Sequence, residues 1–486
     1  MTDSKHKTLT GTLAKIAIET DPDAIPESAF AAARKVLLDS LGCGLAGCNA
    51  PGVREALNTM QDWGGTPQAG VLFHGDQLPA PNAAFVNSTM IHALDYDDVY
   101  IPGVLHITSI IVPTALAVSQ QTGASGRDFL AAIIIGIEVA GRLGIPCRDR
   151  RRGAQGTGFL PTSVVGGFGA AAAACRLRGL NIEQCVHAMG LNYAQVSGNR
   201  QALLDMSLTK RLQPGFAARS AIWSVALAEA GLTGPHRALE GDAGLFRIYQ
   251  TAAPCTRDDL TAPREQMEIE RVSLKRYTSC GACHEQQMAA EEIVATEKLR
   301  PEQIERVELY GGGPGGLVGQ PFEITENPQV CAQFSVQYCV ALALLRGQAS
   351  IEYVTDEQVL ANRDVTELAK SITFTDRLEK IPPPPPLPPD YSEQYVNDFR
   401  AVIVHTRDGR RLVRGHFPAE VFAPGNMSMD EVKEKFRQCA AFSGVCSKTE
   451  AGRLIQAVEH IAEISNIEAS ELLQFRAPAR THKKWS

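Results

Sequence analysis

Side chains that could move protons are concentrated at residues 92–109. This stretch reads His-Ala-Leu-Asp-Tyr-Asp-Asp-Val-Tyr-Ile-Pro-Gly-Val-Leu-His-Ile-Thr-Ser and lies between two apolar runs. Ionisable groups beside a buried scaffold are unfavourable unless they pair with one another or with a ligand. Histidine and aspartate are also common general acids and bases. The segment is therefore predicted to form half of an active site, with Asp95, His106 and Ser109 among its functional side chains.

Two other interpretations of this segment stay open. Asp97 and Asp98 are typical of solvated acids that open a turn, here before Pro102-Gly103. Histidine and aspartate at these offsets could also bind a cation, but the chain has neither a His-Glu-x-x-His nor an EF-hand spacing. We therefore predict no metal site.

A Cys-x-x-Cys-His pattern at 280–284 matches the spacing of covalent c-type haem attachment. That attachment requires export, and the opening residues Met-Thr-Asp-Ser-Lys-His-Lys lack the apolar run of a secretory signal. Haem is therefore not predicted, nor is any other cofactor. His284 is interpreted instead as an acid or base.

Lys210 and Arg211 stand just before a helix that Gly215 is predicted to open. A helix N-terminus attracts anions because its first amides are unpaired and its dipole is positive there. The pair therefore favours a carboxylate or phosphate site, although two solvated loop cations would give the same pattern. Local cations of this kind are needed because the formal net charge of the chain is -7.

Two further groups complete the candidate set. Lys275, Tyr277 and His284 come just before another predicted helix, and Tyr338 lies in a separate helical pattern, where a core tyrosine is an equally good interpretation. Two histidines, a carboxylate and several cations suit removal of a proton alpha to a carboxylate, because negative charge then develops on that carboxylate.

Length and composition are those of an ordinary soluble globular protein with more than one domain. A chain of 486 residues is longer than one hydrophobic core can organise, which predicts two or three domains. The acidic net charge, without a basic run bearing aromatic residues, argues against nucleic-acid binding. The twelve cysteines are scattered, which is typical of reduced thiols and predicts a cytoplasmic protein. The longest apolar run, 129–137, is about half a bilayer span, so no membrane segment is predicted.

Periodicity predicts a mostly α protein with an α+β insertion. Helical patterns continue to about residue 231, beginning with a helix that opens at Pro26 and ends near Gly42. The Gly- and Ala-rich stretch 162–177 predicts a central helix whose backbone closely approaches a neighbour. Strands are predicted by alternation at 272–276, at 307–311 and at 402–413, the last with an Asp408-Gly409 hairpin turn.

Helices return after Pro418, so the C-terminal helices are predicted to rejoin the first domain. The predicted division is a discontinuous helical domain, 1–265 and 419–486, and an α+β lid domain, 266–418. Residues 382–389 hold seven prolines and predict a polyproline-like surface segment. The tail after Ala477 is predicted to be loose.

Taken together, these motifs resemble the MmgE/PrpD family, which includes 2-methylcitrate dehydratases, cis-aconitate decarboxylases and iminodisuccinate epimerase. The resemblance covers essentially the whole chain, through the segments 37–43, 95–109, 210–219, 275–284 and 332–341. It implies a helical domain built from both ends of the chain and a smaller α+β lid. It also implies a homodimer, a site in the cleft between the domains and no required cofactor.

The resemblance also implies roles for individual side chains. The catalytic set would be Asp95, His106, Lys210, His284 and Tyr338, and the substrate-binding set Lys275, Arg211, Ser109 and Tyr277. One departure is Leu160, which follows Gly158-Phe159 where decarboxylase-type members commonly have a histidine, so a proton donor is missing there. Val99 is a second position where a polar contact is lost.

The predicted function is a lyase that acts on a small di- or tricarboxylate with loss of water or carbon dioxide. Two alternatives stay open. One is an epimerase of an amino- or iminodicarboxylate, which would remove and return the same alpha proton. The other is a family member that binds a carboxylate without turning it over.

Overall fold

The computed structural model describes residues 7–147, 158–249, 255–312, 316–386, 398–470 and 472. Helices predominate. In chain order they are α1 (Leu9–Glu19), α2 (Glu27–Gly47), α3 (Val53–Trp63), α4 (Ala80–His92), α5 (Thr108–Thr122), α6 (Gly126–Cys147), α7 (Pro161–Leu177), α8 (Ile182–Tyr193), α9 (Gln201–Leu204), α10 (Thr209–Glu229), α11 (Leu245–Ile248), α12 (Arg257–Thr261), α13 (His284–Glu297), α14 (Pro328–Gln333), α15 (Val336–Arg346), α16 (Asp356–Ala361), α17 (Arg363–Ser371), α18 (Pro418–Val421), α19 (Met429–Ser443) and α20 (Lys448–Glu459). The strands are β1 (Ala69–Gly70), β2 (Gln77–Leu78), β3 (Ile304–Tyr310), β4 (Thr373–Thr375), β5 (Arg400–Thr406) and β6 (Arg411–His416).

A large helical core contains most of the chain up to Leu274 together with the C-terminal helices. Helix α6 packs along α7, α10 packs along α4 and α7, and α19 packs along α2. The predicted close approach of the Gly- and Ala-rich helix is confirmed, since a Cβ on Gly169 would lie 2.4 Å from the carbonyl oxygen of Gly136 in α6. The C-terminal helices therefore pack on the N-terminal ones, while the residue boundaries of the two domains stay a prediction.

The smaller core belongs to an α+β unit, which confirms the predicted fold class. Its sheet has the order β4-β3-β5-β6, with β3 parallel to β4 and the other pairs antiparallel. Helices α13 and α15 pack together, and α13 covers β5 and β6. The predicted hairpin is confirmed, with Val404 opposite Leu412 and Gly409 at φ 84° in its turn.

Some element boundaries differ from the prediction. Helix α2 does not end near Gly42 but continues to Gly47, because its glycines make room for neighbours: a Cβ on Gly42 would lie 3.3 Å from the ring of Phe436. Helix α10 begins at Thr209, so Lys210 and Arg211 lie in its first turn instead of preceding it. Pro214 is tolerated inside α10 because it removes only the hydrogen bond to a carbonyl of that first turn.

The predicted strand at 272–276 is wrong. Ser273 forms a single isolated bridge with Val99. The amide of Leu274 then donates to the Asn426 side chain at 2.9 Å. Because these backbone groups are satisfied by a bridge and a side chain, the segment is extended without joining a sheet.

Among the described residues, one helix, α6, is long and apolar enough to cross a membrane, but 83% of its most apolar window is buried inside the fold. Of the predicted polyproline segment, residues 382–386 are described and carry neither helix nor strand, and the remainder lies outside the described residues. The tail after Ala477 also lies outside them.

Candidate active site

Asp95 is the centre of a buried charge cluster in the loop after α4. Its carboxylate contacts the Lys210 ammonium group through Oδ1, and its Oδ2 lies 3.1 Å from Nζ of Lys275. Lys275 also donates to the Asp95 carbonyl at 2.8 Å. Burial alone would raise the pKa of Asp95, but the two lysines hold it well below its usual range. The same pairing raises the pKa of Lys275 despite its full burial.

The backbone of this loop is strained at two positions. Asp95 has φ 51° and Val104 has φ 56°, both in the left-handed region. Aspartate tolerates that region, whereas a β-branched valine rarely adopts it. Such conformations cost about 1–3 kcal/mol each and are found where the surrounding structure enforces them, often at functional sites.

His92 and Asp97 form a buried dyad beside this cluster. Nδ1 of His92 lies 2.7 Å from Oδ2 of Asp97, and the two side chains are 2% and 0% exposed. Since the carboxylate can only accept, Nδ1 carries the proton and Nε2 is left as the basic nitrogen. Burial tends to raise the pKa of Asp97, but His92 more than offsets this effect and lowers it. Burial also lowers the pKa of His92.

Asp98 anchors the start of α5 and orients His106. It accepts hydrogen bonds from the amides of Ile107 and Thr108, both at 3.1 Å. Burial, followed by the charge of Asp97, raises the pKa of Asp98 to about 8. Both acids are fully buried, so the interpretation of Asp97 and Asp98 as solvated loop acids is wrong. The loop folds inward, so that Asp97 pairs with His92 and Asp98 accepts hydrogen bonds from the first amides of α5.

His106 has the geometry of a general base. Its Nδ1 lies 2.5 Å from the carbonyl oxygen of Asp98, so Nδ1 donates and Nε2 keeps its lone pair. Its ring is 5.5 Å from that of His92. Burial, and then the charge of Lys275, lower the pKa of His106 to about 3. His106 is therefore neutral, and able to accept a proton, at neutral pH.

This shift predicts the pH dependence of turnover. A base whose pKa is lowered stays deprotonated far below the usual histidine value of about 6.5. We expect kcat to change less than about twofold between roughly pH 5 and 7.5. Steady-state rates in constant-ionic-strength buffers would check this expectation. A tenfold fall in kcat per pH unit below about pH 6.5 would show a base with an ordinary histidine pKa.

The structure brings His92, Asp95 and Asp97 together closely enough to resemble a metal site, with potential ligand atoms within 4.8 Å of one another. The Asp95 carboxylate is already matched by Lys210 and Lys275, and Asp97 by His92. A divalent ion would therefore place more positive charge beside two ammonium groups.

We accordingly expect activity to be unchanged after dialysis against EDTA. Loss of activity that a divalent ion restores, with loss and recovery measured on the same preparation, would instead favour a metal bound to these three residues.

The cluster opens onto a cavity of about 320 Å³ between the two cores. Its wall includes His92, Asp95, His106 and Lys210 from the large domain. The small domain contributes several side chains to the same wall, namely Cys280, Glu285, Leu317, Val318, Phe334 and Arg400. A cavity of this size, with convergent polar groups at one place, is typical of a small-molecule site.

Two predicted residues lie just behind this wall. Lys275 is fully buried, is not among the residues that line the cavity, and contacts the lining residue Asp95. His284 is fully buried between Tyr277 and Phe422, each with a ring centroid 5.1 Å away. Neither nitrogen of His284 makes a well-formed hydrogen bond, and burial, then Lys275, lower its pKa to about 3. Tyr277, a predicted substrate-binding residue of the same segment, donates its hydroxyl proton to Glu291 at 2.8 Å.

Three other predicted residues are not brought to the cavity wall. Arg211, in the first turn of α10, donates to the carbonyl of Pro51 at 2.8 Å and to the side chain of Gln329 at 3.1 Å. It therefore links the large domain to the small one. Ser109 donates to the carbonyl of His106 inside the first turn of α5. Tyr338 is packed in the small core against Phe322, so the core interpretation of this tyrosine describes its position.

Lys435 in α19 holds the cluster from behind. Its Nζ lies 2.7 Å from Oδ1 of Asp39 and donates to the carbonyl of Tyr96 at 2.8 Å and to that of Lys275 at 2.9 Å. It also sits 3.8 Å from the centroid of the Tyr96 ring. A single buried ammonium group therefore ties together α2, α19, the Asp95 loop and the Lys275 segment.

Sequence reasoning missed the roles of His92, Asp97 and Lys435. The spacing of His92 and Asp97 in a dense acidic loop was a usable signal for the dyad, since a carboxylate that orients a histidine is a recurrent arrangement. Lys435 gave no such signal. It lies in an amphipathic helix among other charged residues, and only the packing of α19 on α2 reveals its contacts.

A cluster of buried ionisable groups that faces a cavity between two domains is typical of an enzyme active site. The model of the MmgE/PrpD N-terminal domain matches residues 11–257, and that of the MmgE/PrpD C-terminal domain matches residues 277–462. The chain therefore belongs to the MmgE/PrpD family, as its motifs predicted.

Its similar relatives include several cis-aconitate decarboxylases. Those of Mus musculus and Homo sapiens are each 27% identical to this chain over 89% of its length, and the match covers 86% and 87% of their own lengths. That of Aspergillus terreus is 24% identical over 72% of this chain and 75% of its own length. These similarities support assignment of the chain to the lyase class of enzymes.

Proposed function

We propose that the protein is a lyase that removes a proton alpha to a carboxylate of a small di- or tricarboxylate, of the citrate, 2-methylcitrate or cis-aconitate type. The observation that carries the proposal is the cavity-facing His106, held neutral with Nε2 available, next to the Lys210–Asp95 pair. Lys210 would bind the carboxylate, since an ammonium group has three donors and Asp95 uses only part of them. Asp95, His106 and Lys210 are the proposed catalytic and binding core.

The chemistry follows from these positions. Nε2 of His106 takes the alpha proton, and the electron pair of the C–H bond forms the new C=C bond as the C–O bond to the beta carbon breaks. The leaving hydroxide takes the proton back from His106, which gives water and restores the neutral base. Lys210 stabilises the charge that develops on the carboxylate during this transfer.

Loss of carbon dioxide makes a different demand on the site. The C–C bond breaks, its electron pair stays on the alpha carbon, and that carbon must then receive a proton. Leu160 lines the cavity but its side chain has no proton to donate. The donor would have to be whichever of His106 and His92 had first taken a proton from solvent. Loss of water is therefore the simpler reaction for a site that holds neutral bases.

The test is a panel of four compounds. The enzyme is incubated separately with citrate, 2-methylcitrate, cis-aconitate and iminodisuccinate, and products are identified by NMR. Net elimination of water or carbon dioxide supports the proposal and identifies the branch. Exchange with inversion would replace the lyase by an epimerase. Binding of these acids without any turnover would favour a non-catalytic carboxylate-binding protein.

Lys210→Met is expected to impair both binding and turnover. A carboxylate clamp serves the ground state and the transition state, so KM should rise while kcat/KM falls by roughly 10- to 100-fold. Steady-state kinetics on the active compound of the panel would measure both. Lys370→Met is the matched control, because Lys370 is exposed on α17 and should leave both constants unchanged. Unchanged kinetics in Lys210→Met would place the carboxylate elsewhere.

The homodimer that the family resemblance implies and the cytoplasmic location that the scattered cysteines predict also remain proposals. Assembly as a homodimer would be checked by light scattering of the purified full chain. A cytoplasmic location would be checked by cell fractionation.

A further inference from the structure

We propose that the substrate carries an apolar substituent of several carbons beside its carboxylates, and that the apolar part of the cavity wall binds it. The inference rests on the proposed function and specifies the class of substrate for the same site. It follows from what lines the cavity outside the proton-transfer cluster.

The wall away from this cluster is largely apolar and comes from both domains. Leu203, Val318 and Phe334 are buried members of the small core that reach the cavity, and the partly buried Leu160 and Leu317 pack beside them. On the other side, Val99, Ile101 and Phe422 form a separate apolar cluster, all three lining the same space. Water held against such a surface is released when an apolar group replaces it, which favours binding of that group.

The described cations of the wall are partly offset by carboxylates. In the described part of the wall they are Arg200, Lys210 and Arg400. Lys210 is paired with Asp95, while Arg400 is paired with Glu285 at 3.2 Å and with Asp398 at 2.5 Å. Among the described residues, the carboxylate end is therefore expected to bind at Lys210, while the rest of the substrate meets mainly apolar side chains.

The volume points the same way. A space of about 320 Å³ corresponds to roughly ten molecules of liquid water, which leaves room for several carbons beside a dicarboxylate end. Empty space beside apolar side chains forfeits their contacts. An alkyl chain that extends from the carboxylate end past Leu160 and Leu317 would fill the space and make these contacts.

Binding of 2-alkylsuccinates, measured by calorimetry on the full chain, tests the proposal apart from turnover. The series is succinate and its 2-methyl, 2-butyl and 2-hexyl derivatives. We expect Kd to fall about fourfold per added methylene until the chain outgrows the cavity. Leu160→Gln and Leu317→Gln should flatten this dependence, because each replaces an apolar side chain of the wall by a polar one. Both should leave the Kd of succinate unchanged, because succinate has no alkyl chain and is held by Lys210.

Two controls keep the result specific. Leu204→Gln alters an apolar side chain that is 58% exposed next to the cavity-lining Leu203, and it should keep the full dependence on chain length. Lys210→Met should weaken the whole series, because the carboxylate end anchors every member. A chain-length dependence that persists unchanged in Leu160→Gln and Leu317→Gln would place the alkyl chain elsewhere and overturn the proposal, and so would a Lys210→Met variant that binds the whole series as tightly as the wild type.

The remaining outcomes separate this proposal from the proposed function. Succinate binding with a Kd that does not change along the series would overturn the apolar substituent and leave the carboxylate lyase standing. Failure of every member to bind, succinate included, would overturn both.

Discussion

His106→Gln is expected to lower kcat by about 10²-fold or more, the scale of a lost general base. Glutamine keeps a polar group near the Asp98 carbonyl but has no lone pair basic enough to accept the alpha proton. KM should change much less than kcat, because the carboxylate is held by Lys210. Steady-state kinetics on the active compound of the panel, with circular dichroism to confirm folding, would measure the effect.

The matched control for this variant is His460→Gln. His460 is an exposed histidine whose ring lies 3.1 Å from Glu463, and its side chain is 67% exposed. Its substitution should leave kcat within about twofold of the wild type, since exposed ion pairs contribute little. A folded His106→Gln enzyme with the wild-type kcat would move the base to His92 or away from this cluster.

Lys435→Met should produce the largest loss of stability, about 3–5 kcal/mol, the scale of a buried ion pair that loses one partner. The substitution leaves Asp39 buried without its cation and leaves the carbonyls of Tyr96 and Lys275 without a donor. Urea unfolding would measure the change. Asp39→Leu combined with Lys435→Met should be less destabilising than Lys435→Met alone, because no charge is then left unpaired.

The loss in Lys435→Met should also depend on pH. Burial raises the folded pKa of Asp39 above its unfolded value of about 3.9 even with Lys435 in place. Removing the lysine would raise this pKa further, so the folded variant would bind more protons than the folded wild type. Its stability deficit relative to the wild type should therefore grow as the pH rises through the wild-type folded pKa of Asp39. Lys433→Met is the control: Lys433 pairs with Glu459 at 2.5 Å at the surface and should cost under about 1 kcal/mol. Equal losses in the two variants would contradict the buried-pair account.

Local sequence patterns predicted the parts of the fold that local physics determines. The Asp408-Gly409 turn, the strands β3 and β5 and the close approach at Gly169 all follow from periodicity or from residue size. The same reasoning placed Asp95, His106 and Lys210 in one site, because charged groups beside apolar runs need partners. The structure brings these three side chains to one cavity wall.

The remaining errors come from contacts between distant segments. Gly42 was expected to end a helix because nothing local shows that Phe436 packs on it. Asp97 and Asp98 were weighed as solvated acids because an acidic loop looks the same whether it faces water or folds inward. The assignment of Arg211 to substrate stays a prediction, although two of its donors bind Pro51 and Gln329 and it does not line the cavity.

The most direct test of the central claim is the fate of solvent deuterium at the alpha carbon. The active compound of the panel is run in D₂O in both reaction directions, and product and recovered substrate are examined by NMR. Removal and return of an alpha proton by His106 predicts one deuterium on that carbon, in a single configuration, entering more slowly in His106→Gln by the same factor as kcat. Turnover without deuterium at the alpha carbon in either direction, or incorporation in His106→Gln at the wild-type rate, would contradict the account.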